Sequence, residues 1–532
     1  MRKFWQPETK QQEKLKQLRV YLASGHDYVL NNNSQMALQQ YEKALEIARH
    51  EKYTLEETQA YLWSGVAFRS ENQSQMAIQQ YEKALKTARE QKYKLEETQA
   101  YLGLGNAYIF VNKDETAIQQ YQKVLEITAE QGYSKEEIQA YLGLGYCYKF
   151  NNDNIAAIEL YETALKFARK KQHKLEETQA YLGLGDCYTL INDKITAIQH
   201  YETALKFARE QGYKLQEAQG YLSLGEAYRS YNQNQLAIQC YEKGLETARQ
   251  QGYKLQEAQA YTGLGDVYRL DNQNELAIKH YEKSLEIAKE QGYKNEEVQT
   301  HLGLGDVYRI ENKNESAIKH YKKSLEIAKK HKYKNEETQA HLGLGHTYRC
   351  DTQLNQATIQ HYGKALEIAS KQPYKKEKTQ AYLGLGETYR SNNQNQIAIQ
   401  CYEEASEISR EQGYKLQETQ ACLWLGEAYR SDNENQKAIQ CYDEALEIAS
   451  EQEYKLQEIQ AYLGLGETYR SHNQNRAAIK HYEKALEIAS KQSYKEEETQ
   501  AYLGLGEAYR SENENQLAIQ CYEEASEISR EQ

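Results

Sequence analysis

Histidine and cysteine recur at one place along this sequence, in steps of 40 or 41 residues. The series consists of His200, Cys240, His280, His320, His361, Cys401, Cys441, His481 and Cys521. Imidazole and thiolate are preferred zinc ligands, and a structural zinc site needs four donors within about 2–2.3 Å of the metal. If each member lies on its own helix, neighbours are at least a helix packing distance of about 8–10 Å apart. We therefore expect no metal site and no cofactor, and interpret the series as half-buried polar spacers.

In seven repeats the carboxylate that directly follows the motif glycine precedes an arginine by three residues. The pairs are Glu226 and Arg229, Asp266 and Arg269, Asp306 and Arg309, Glu387 and Arg390, Glu427 and Arg430, Glu467 and Arg470, and Glu507 and Arg510. Residues three apart share one face of a helix, where such a pair contributes about 0.2–0.5 kcal/mol. One interpretation is a solvated ladder of ion pairs. General acid–base catalysis is not expected, because the recurrence marks no place as a unique pocket.

These residues belong to a repeat of 40 residues, recognised by the motif YLGLG and its variants. Equivalent positions are Tyr61, Tyr101, Tyr141, Tyr181, Tyr221, Tyr261, His301, His341, Tyr382, Cys422, Tyr462 and Tyr502. Thirteen units start at residues 14, 54, 94, 134, 174, 214, 254, 294, 334, 375, 415, 455 and 495, after a leader of residues 1–13. Self-similarity at this period is typical of a solenoid, in which each unit buries its apolar face against its neighbours.

Each unit shows helical spacing twice. In residues 94–133 the apolar residues that recur in steps of three and four are Tyr101, Leu104, Tyr108, Ala117, Tyr121, Val124 and Leu125. Between the two runs lies Asn112, and twelve of the thirteen units have asparagine there, the second choice after glycine for the left-handed residue that ends a helix. Short side chains two residues later are expected to cap the next helix. They are Ser34, Ser74, Asp114, Asn154, Asn234, Asn274 and Asn435.

Composition narrows the class of protein. A chain of 532 residues is too long to fold around a single hydrophobic core, so we expect several domains or a structure built by repetition. Its 48 tyrosines argue against intrinsic disorder. The net charge of -12 argues against nucleic-acid or anionic-membrane binding. There is no apolar run of membrane-spanning length and no secretory signal, and the eight cysteines are scattered without a Cys-x-x-Cys pair. We expect a soluble cytoplasmic protein with reduced thiols, no bound nucleic acid and no membrane insertion.

The spacing of the repeat resembles that of the tetratricopeptide repeat (TPR) family over residues 14–532. The matching positions in the third unit are Tyr101, Leu104, Gly105, Tyr108, Ala117, Tyr121 and Val124. The unit departs from the family pattern in its turn asparagine, in lacking a closing proline and in being six residues longer than 34. In length it resembles the array of G-protein-signalling modulators of the LGN type. The resemblance implies an all-α, right-handed solenoid of about 13 helix-turn-helix repeats with a concave groove.

In that family, residues flanking the Leu-Gly and Tyr positions of the first helix line the groove. The resemblance places there the apolar residues of the early units, namely Trp63, Val66, Ile109, Phe110, Tyr146, Phe150 and Leu190. It also places the carboxylate–arginine pairs there, so their second interpretation is a charged track with bidentate arginine contacts to a partner. Trp63 and Trp424 stand where most units have glycine, and we expect this place to face open space. Trp63 is either a ligand contact or packing between repeats.

The function predicted from these features is a scaffold that binds a peptide or segment of another protein in the groove. The alternative is a ligand-responsive regulatory sensor, or a G-protein-signalling-type adaptor arm of a larger signalling protein. No enzyme is expected, since the sequence has no Gly-rich phosphate loop, no nucleophile elbow and no HExxH motif.

Three irregularities interrupt the repetition. One residue is inserted in the turn DTQLN near Leu354, and Thr358 replaces the usual packed alanine, which should loosen or bend the array locally. The string AIQCYEEASEISREQ occupies residues 398–412 and again 518–532, three units later, which indicates block duplication. The last unit stops before a polar capping helix, so we expect further repeats in a longer chain, or fraying or self-association at this end.

Overall fold

The computed structural model of the chain describes residues 10–30, 33–71, 73–111, 113–151, 153–349, 355–371 and 374–531. These residues form 26 α-helices and contain no strand. The odd-numbered helices, called A helices, are α1 (Lys10–Leu30), α3 (Thr54–Ser70), α5 (Lys94–Phe110), α7 (Ser134–Phe150), α9 (Lys174–Leu190), α11 (Lys214–Ser230), α13 (Lys254–Leu270), α15 (Lys294–Ile310), α17 (Lys334–Arg349), α19 (Lys375–Ser391), α21 (Lys415–Ser431), α23 (Lys455–Ser471) and α25 (Lys495–Ser511). The even-numbered helices, called B helices, are α2 (Ser34–Glu51), α4 (Ser74–Gln91), α6 (Asp114–Gln131), α8 (Asn154–Lys171), α10 (Lys194–Gln211), α12 (Asn234–Gln251), α14 (Asn274–Gln291), α16 (Asn314–His331), α18 (Asn355–Ser370), α20 (Asn395–Gln412), α22 (Asn435–Glu451), α24 (Asn475–Gln492) and α26 (Asn515–Glu531).

Twelve pairs of an A helix packed on the following B helix, from α1 and α2 to α13 and α14 and from α17 and α18 to α25 and α26, confirm the prediction of an all-α solenoid of helix-turn-helix repeats. Contacts between Cα atoms divide the chain into two compact units, Met1–Val307 and Tyr308–Gln532. Inside each unit an A helix packs on the B helix of its own repeat, and that B helix packs on the next A helix. The first helix begins at Lys10, four residues before the first repeat expected from the sequence.

In most repeats a tyrosine of the B helix lies between glycines of two A helices. The Tyr81 ring is 2% exposed. A Cβ atom built on Gly65, in the A helix of the same repeat, would lie 2.6 Å from this ring, and one on Gly103, in the next A helix, 2.4 Å. Glycine in a helix is destabilising by about 0.5–1 kcal/mol relative to alanine, and the close approach of the ring explains its presence. The prediction that the motif glycines allow the second helix to come close is confirmed.

The turn from A helix to B helix contains the predicted left-handed asparagine. In the described residues, positive φ angles of 56–64° occur at Asn192, Asn232, Asn272, Asn312, Asn393, Asn433, Asn473 and Asn513. Asn112 and its equivalents at 32, 72 and 152 lie outside the described residues.

The predicted helix caps were misplaced by one residue. Ser34, Ser74, Asp114, Asn154, Asn234, Asn274 and Asn435 are the first helical residues. The residue before each of them is the N-cap. The side-chain Oδ1 atoms of Asn33 and Asp153 each accept a hydrogen bond from the backbone N–H three residues later, at an N···O distance of 3.2 Å. The side chain of Asn234 contacts the next repeat instead, because its Nδ2 donates to Oδ1 of Asp271 at 2.5 Å.

The residue inserted near Leu354, like Cys350, lies outside the described residues. Thr358, which follows the insertion, lies in α18 and is fully buried. It occupies the same packed place as Ala317 and Ala398 in the neighbouring repeats, which are also fully buried.

Candidate functional site

The A helices form the inner row of each unit. In the first unit α3 contacts α5, α5 contacts α7, α7 contacts α9 and so on to α13, and in the second the same holds from α17 to α25. In the described part of the chain, no such contact joins one B helix to the next. The exposed side of the A row carries positions equivalent to Asn106, Ile109 and Phe110, and we call this side the groove face.

The apolar residues predicted for the groove face fall into two groups. Those at its surface, between 40% and 58% exposed, are Phe110, Tyr146, Phe150 and Leu190. Val66 and Ile109 are half-buried and pack in the hydrophobic clusters of their own repeats. The first group is therefore free to contact another molecule, and the second supports the fold.

The expectation that Trp63 and Trp424 face open space was wrong. At most of the equivalent positions a Cβ atom would collide with the preceding repeat, as at Gly103, where it would lie 2.4 Å from Cε1 of Tyr81. The half-buried ring of Trp63 lies 3.7 Å from that of His26 on the preceding A helix, measured between centroids. Trp424 lies against a tyrosine of the preceding repeat, with centroids 5.7 Å apart. This side of the A helix packs between repeats, so both tryptophans take part in that packing.

The carboxylate–arginine ladder connects repeats as well as positions within a helix. Arg229 pairs with Glu226 on its own helix, and its guanidinium lies 4.0 Å from the carboxylate of Asp266 on the next A helix. Arg390 contacts Glu427 of the next repeat at 2.6 Å. Contacts within one helix, at 3.0 and 2.7 Å, join Arg470 to Glu467 and Arg510 to Glu507, whereas Arg349 pairs with Glu387 of the next repeat.

Tyrosines of the B helices hold these carboxylates. The Tyr281 hydroxyl donates to Asp266 at 2.5 Å, and the Tyr241 hydroxyl donates to Glu226 at 3.0 Å. Burial raises the pKa of Asp266 above its ordinary value, although Arg229 and a second guanidinium act in the opposite direction. The carboxylates are thus hydrogen-bond acceptors within the fold as well as charges, and the ladder is only partly solvated.

The remaining predicted members of the ladder are half-buried. Burial would lower the pKa of Arg269, but Asp306 and other acidic groups nearby raise it. Arg309 belongs to the second unit, as does Arg430, which lies beside the hydroxyl of Tyr442.

The sequence patterns missed two residues of the groove face. Lys149 lies between the exposed aromatic residues of the first unit, 5.1 Å from the centroid of Tyr146, and its Nζ contacts Asp186 of the next repeat at 2.6 Å. His346 replaces the ladder carboxylate in its repeat, with Nδ1 2.8 Å from the Tyr362 hydroxyl. Both residues occupy positions equivalent to ladder residues when the repeats are aligned, so an alignment of the repeats would have identified them. Neither fits the pattern of a carboxylate followed by an arginine.

The histidine and cysteine series lies on the B helices, on the other side of the array from the groove face. Ring stacking on A-helix tyrosines is typical, as between His200 and Tyr188, with centroids 5.3 Å apart. Burial raises the pKa of Cys240 to about 11 and lowers that of His280 to about 4. Among the described residues, no three His, Cys, Asp or Glu side chains converge as metal ligands.

No helix in the described ranges combines the length and the apolar character needed to cross a membrane. No curated protein sequence is significantly similar to the chain.

The solved structures that are similar to the chain include those of three proteins. BtubC (BKLC) from P. vanneervenii is 22% identical, with a TM-score of 0.38 over 41% of this chain and 91% of that one. The apo form of RapI is 16% identical, with a TM-score of 0.43 over 51% and 97%. A signal transduction ATPase with numerous domains (STAND) and a tetratricopeptide repeat sensor, from Pyrococcus horikoshii, is 15% identical, with a TM-score of 0.44 over 65% and 55%.

Tetratricopeptide repeat models match the sequence along most of its length. One model matches residues 136–210, 256–330, 336–411, 419–491 and 477–531. Two others match residues 383–453, and residues 58–91, 98–131 and 218–251. The first model alone covers more than half of the chain, and its repeats coincide with the helix pairs described above. The chain belongs to the tetratricopeptide repeat family, whose helical arrays typically serve as non-catalytic scaffolds for protein interaction.

Proposed function

We propose that the chain is a scaffold that holds a segment of a partner protein on the groove face, and that apolar anchors in the first unit provide most of the binding free energy. The observation that carries this proposal is the row formed by Phe110, Phe150 and Leu190, which are 58%, 51% and 56% exposed. They occupy the same position in three successive repeats. Exposed apolar side chains in a contiguous patch mark interaction sites in soluble proteins.

Neighbouring residues enlarge this patch and give it polar contacts. Ile155 and Ile195, which follow the same turns, are 75% and 72% exposed. Lys149 and Asp186 form an ion pair beside the patch, at 2.6 Å. A partner segment that is apolar on one side and carries charged residues at its edge suits this surface. Binding at such sites is concentrated in a few central side chains, which here are Phe110 and Phe150.

Charged residues of the groove face would then set the register of a partner segment. In the first unit they are Glu226, Arg229, Asp266 and Arg269, which lie in the repeats that follow the apolar row. The second unit has its own charged surface, where a cavity of about 250 Å³ opens between Glu467, Glu507 and Tyr482. Charge pairs at an interface favour the correct partner and speed its association more than they add affinity.

The test is a pull-down with the full chain carrying Phe110→Ala and Phe150→Ala together. We expect the partner to be recovered at less than about a tenth of the amount seen with the unmodified chain, since two central side chains are truncated. The matched control is Met76→Ala with Leu276→Ala, which truncates two B-helix residues of the same unit that are 39% and 40% exposed. Full recovery by the groove variant, with an unchanged circular dichroism melt, would show that the row is not the anchor.

The sensor alternative predicts a different result. Small-angle scattering with and without the captured partner would show a change of pitch for a sensor and unchanged dimensions of the array for a scaffold. Cytoplasmic location, resemblance to the LGN-type array and self-association through the last helix pair stay predictions.

A further inference from the structure

The outer surface carries a furrow between successive B helices, and in most repeats its floor consists of two tyrosines of the A helix beneath. In the repeat of α9 and α10 the floor is Tyr181 and Tyr188, and the imidazole of His200 covers both, with ring centroids 5.8 and 5.3 Å away. His280 and His481 cover their floors in the same way, each stacked on one tyrosine with centroids 5.2 Å apart. An aromatic ring therefore fills this furrow wherever the B helix supplies histidine.

The repeat of α11 and α12 has cysteine at the covering position, and its furrow is open. A cavity of about 510 Å³ lies over Tyr221 and Tyr228, with Cys240 at its side. This volume falls in the range of about 300–1,000 Å³ that is usual for small-molecule sites. The repeat also has Gly220 where the preceding repeats have alanine, and a Cβ atom there would lie 2.9 Å from Leu205, which lines the cavity. Tyr221 is 6% exposed, and the Arg209 guanidinium lies over its ring, whereas Tyr228 is half-buried and no histidine ring covers it. A planar ring from outside can therefore stack on Tyr228 at the edge of Tyr221.

The walls of this cavity carry more cations than carboxylates, unlike those of the other furrows that have cysteine. Arg209 and Lys243 lie 5.0 and 5.9 Å from the Tyr221 ring centroid, and Lys206 is the third cation of the lining, which also contains the carboxylates of Glu202 and Glu210. In the furrows of Cys401, Cys441 and Cys521, the residues equivalent to Lys206 and Lys243 are all acidic, namely Glu367, Glu404, Glu407, Glu444, Glu487 and Glu524.

We propose that the cavity over Tyr221 and Tyr228 binds a small aromatic carboxylate. Its ring takes the place that the histidine ring holds in the neighbouring repeats, because stacked or tilted aromatic pairs are favourable at centroid distances of about 4.5–7 Å. Its carboxylate is bound by Arg209, which also contacts Glu217 at 3.5 Å, and by Lys206 and Lys243. Charge-assisted hydrogen bonds of this kind are the stronger ones in proteins. This site is separate from the groove face and independent of the proposed scaffold function.

Isothermal titration calorimetry of the full chain with indole-3-acetate tests the proposal. We expect one site per chain with a dissociation constant below about 1 mM, which corresponds to a modest free energy for a ligand of this size. Indole-3-acetamide, which has the same ring without the charge, should bind at least about tenfold more weakly. Absence of indole-3-acetate binding, or equal binding of the amide, overturns the proposal.

Cys240→His is the decisive variant, because the structure already accommodates histidine at this position in other repeats. It should fill the furrow and weaken indole-3-acetate binding at least about tenfold, whereas Cys401→His, in a furrow with acidic walls, should leave binding unchanged. Lys206→Glu, which introduces the residue found at 246 in the next repeat, should weaken binding whether or not the histidine variant folds. Unaltered binding by Lys206→Glu, or by a folded Cys240→His chain, contradicts the assignment.

Discussion

Adding a single methyl group at Gly384 should destabilise the second unit, although alanine is the better helix former. A Cβ atom there would lie 2.4 Å from the Tyr362 ring, and the ring cannot retreat, because a Cβ atom at Gly345 on its other side would be only 2.7 Å away. Overpacking of a core costs about 1–3 kcal/mol. The higher helix propensity of alanine relative to glycine offsets about 0.5–1 kcal/mol of this cost. From the midpoints of the two ranges, the net expectation for Gly384→Ala is a loss of about 1 kcal/mol in the free energy of unfolding.

Gly363→Ala is the matched control, because residue 363 follows Tyr362 directly and a Cβ atom there meets nothing within 4 Å. It should stabilise by about 0.5–1 kcal/mol. Since a free-energy change of 1 kcal/mol moves the melting temperature of a unit of this size by about 2–4 °C, calorimetry should give shifts of opposite sign for the two variants. A Gly384→Ala chain as stable as the unmodified one, or more so, would refute the role assigned to the tyrosine between two glycines.

Two further predictions concern the turns and the buried ion pairs. Asn433 has φ of 59°, so Asn433→Ala should cost about 1 kcal/mol through the left-handed backbone while Asn433→Gly should not, and equal urea midpoints for the two variants would contradict this. Burial would raise the pKa of Glu257, but hydrogen bonds from Lys254 at 2.8 Å and Arg249 at 3.2 Å outweigh it and hold the pKa below its ordinary value. Its stabilising contribution is therefore present above an unfolded-state pKa of about 4.3 and lost as the pH falls through the lower folded-state pKa. The stability difference between the unmodified chain and Glu257→Gln, measured by urea unfolding from pH 7 to pH 3, should shrink at the acid end, and a constant difference would be inconsistent with the ion pair.

Local features of the fold were predictable from the sequence because their causes are local. Helix spacing, the turn asparagines such as Asn433 and the motif glycines such as Gly65 each reflect a conformation or a contact within one repeat. The cap positions were misplaced by one residue, since the left-handed asparagine is followed directly by the cap, as in Asn192 and Asp193.

Features of the groove face were less predictable because they depend on how one repeat meets the next. Across the contact between successive A helices, Arg390 meets Glu427, which lies 37 residues later in the sequence. This separation is one repeat length of 40 residues minus the three residues that separate carboxylate and arginine within a helix. The same offset joins Lys149 to Asp186, a pair that a search within one helix does not reveal. The surroundings of Trp63 were mispredicted for the same reason, since the side of the A helix that meets the preceding tyrosine follows from packing between repeats.

The tyrosine held between glycines of successive repeats also bears on how such a chain can grow. The B-helix tyrosine of an internal repeat packs against the A helix of the next repeat, as Tyr81 packs against Gly103. The A helix of that repeat packs in the same way against the tyrosine of the repeat before it. A gene segment that encodes whole repeats can therefore be copied or deleted without leaving either junction mismatched. The identical strings at 398–412 and 518–532, three repeats apart, are the record that such copying would leave. The number of repeats in this protein can thus change by duplication or deletion without disturbing the packing between repeats. The distance between neighbouring A helices, in contrast, is fixed by the tyrosine ring that lies between them.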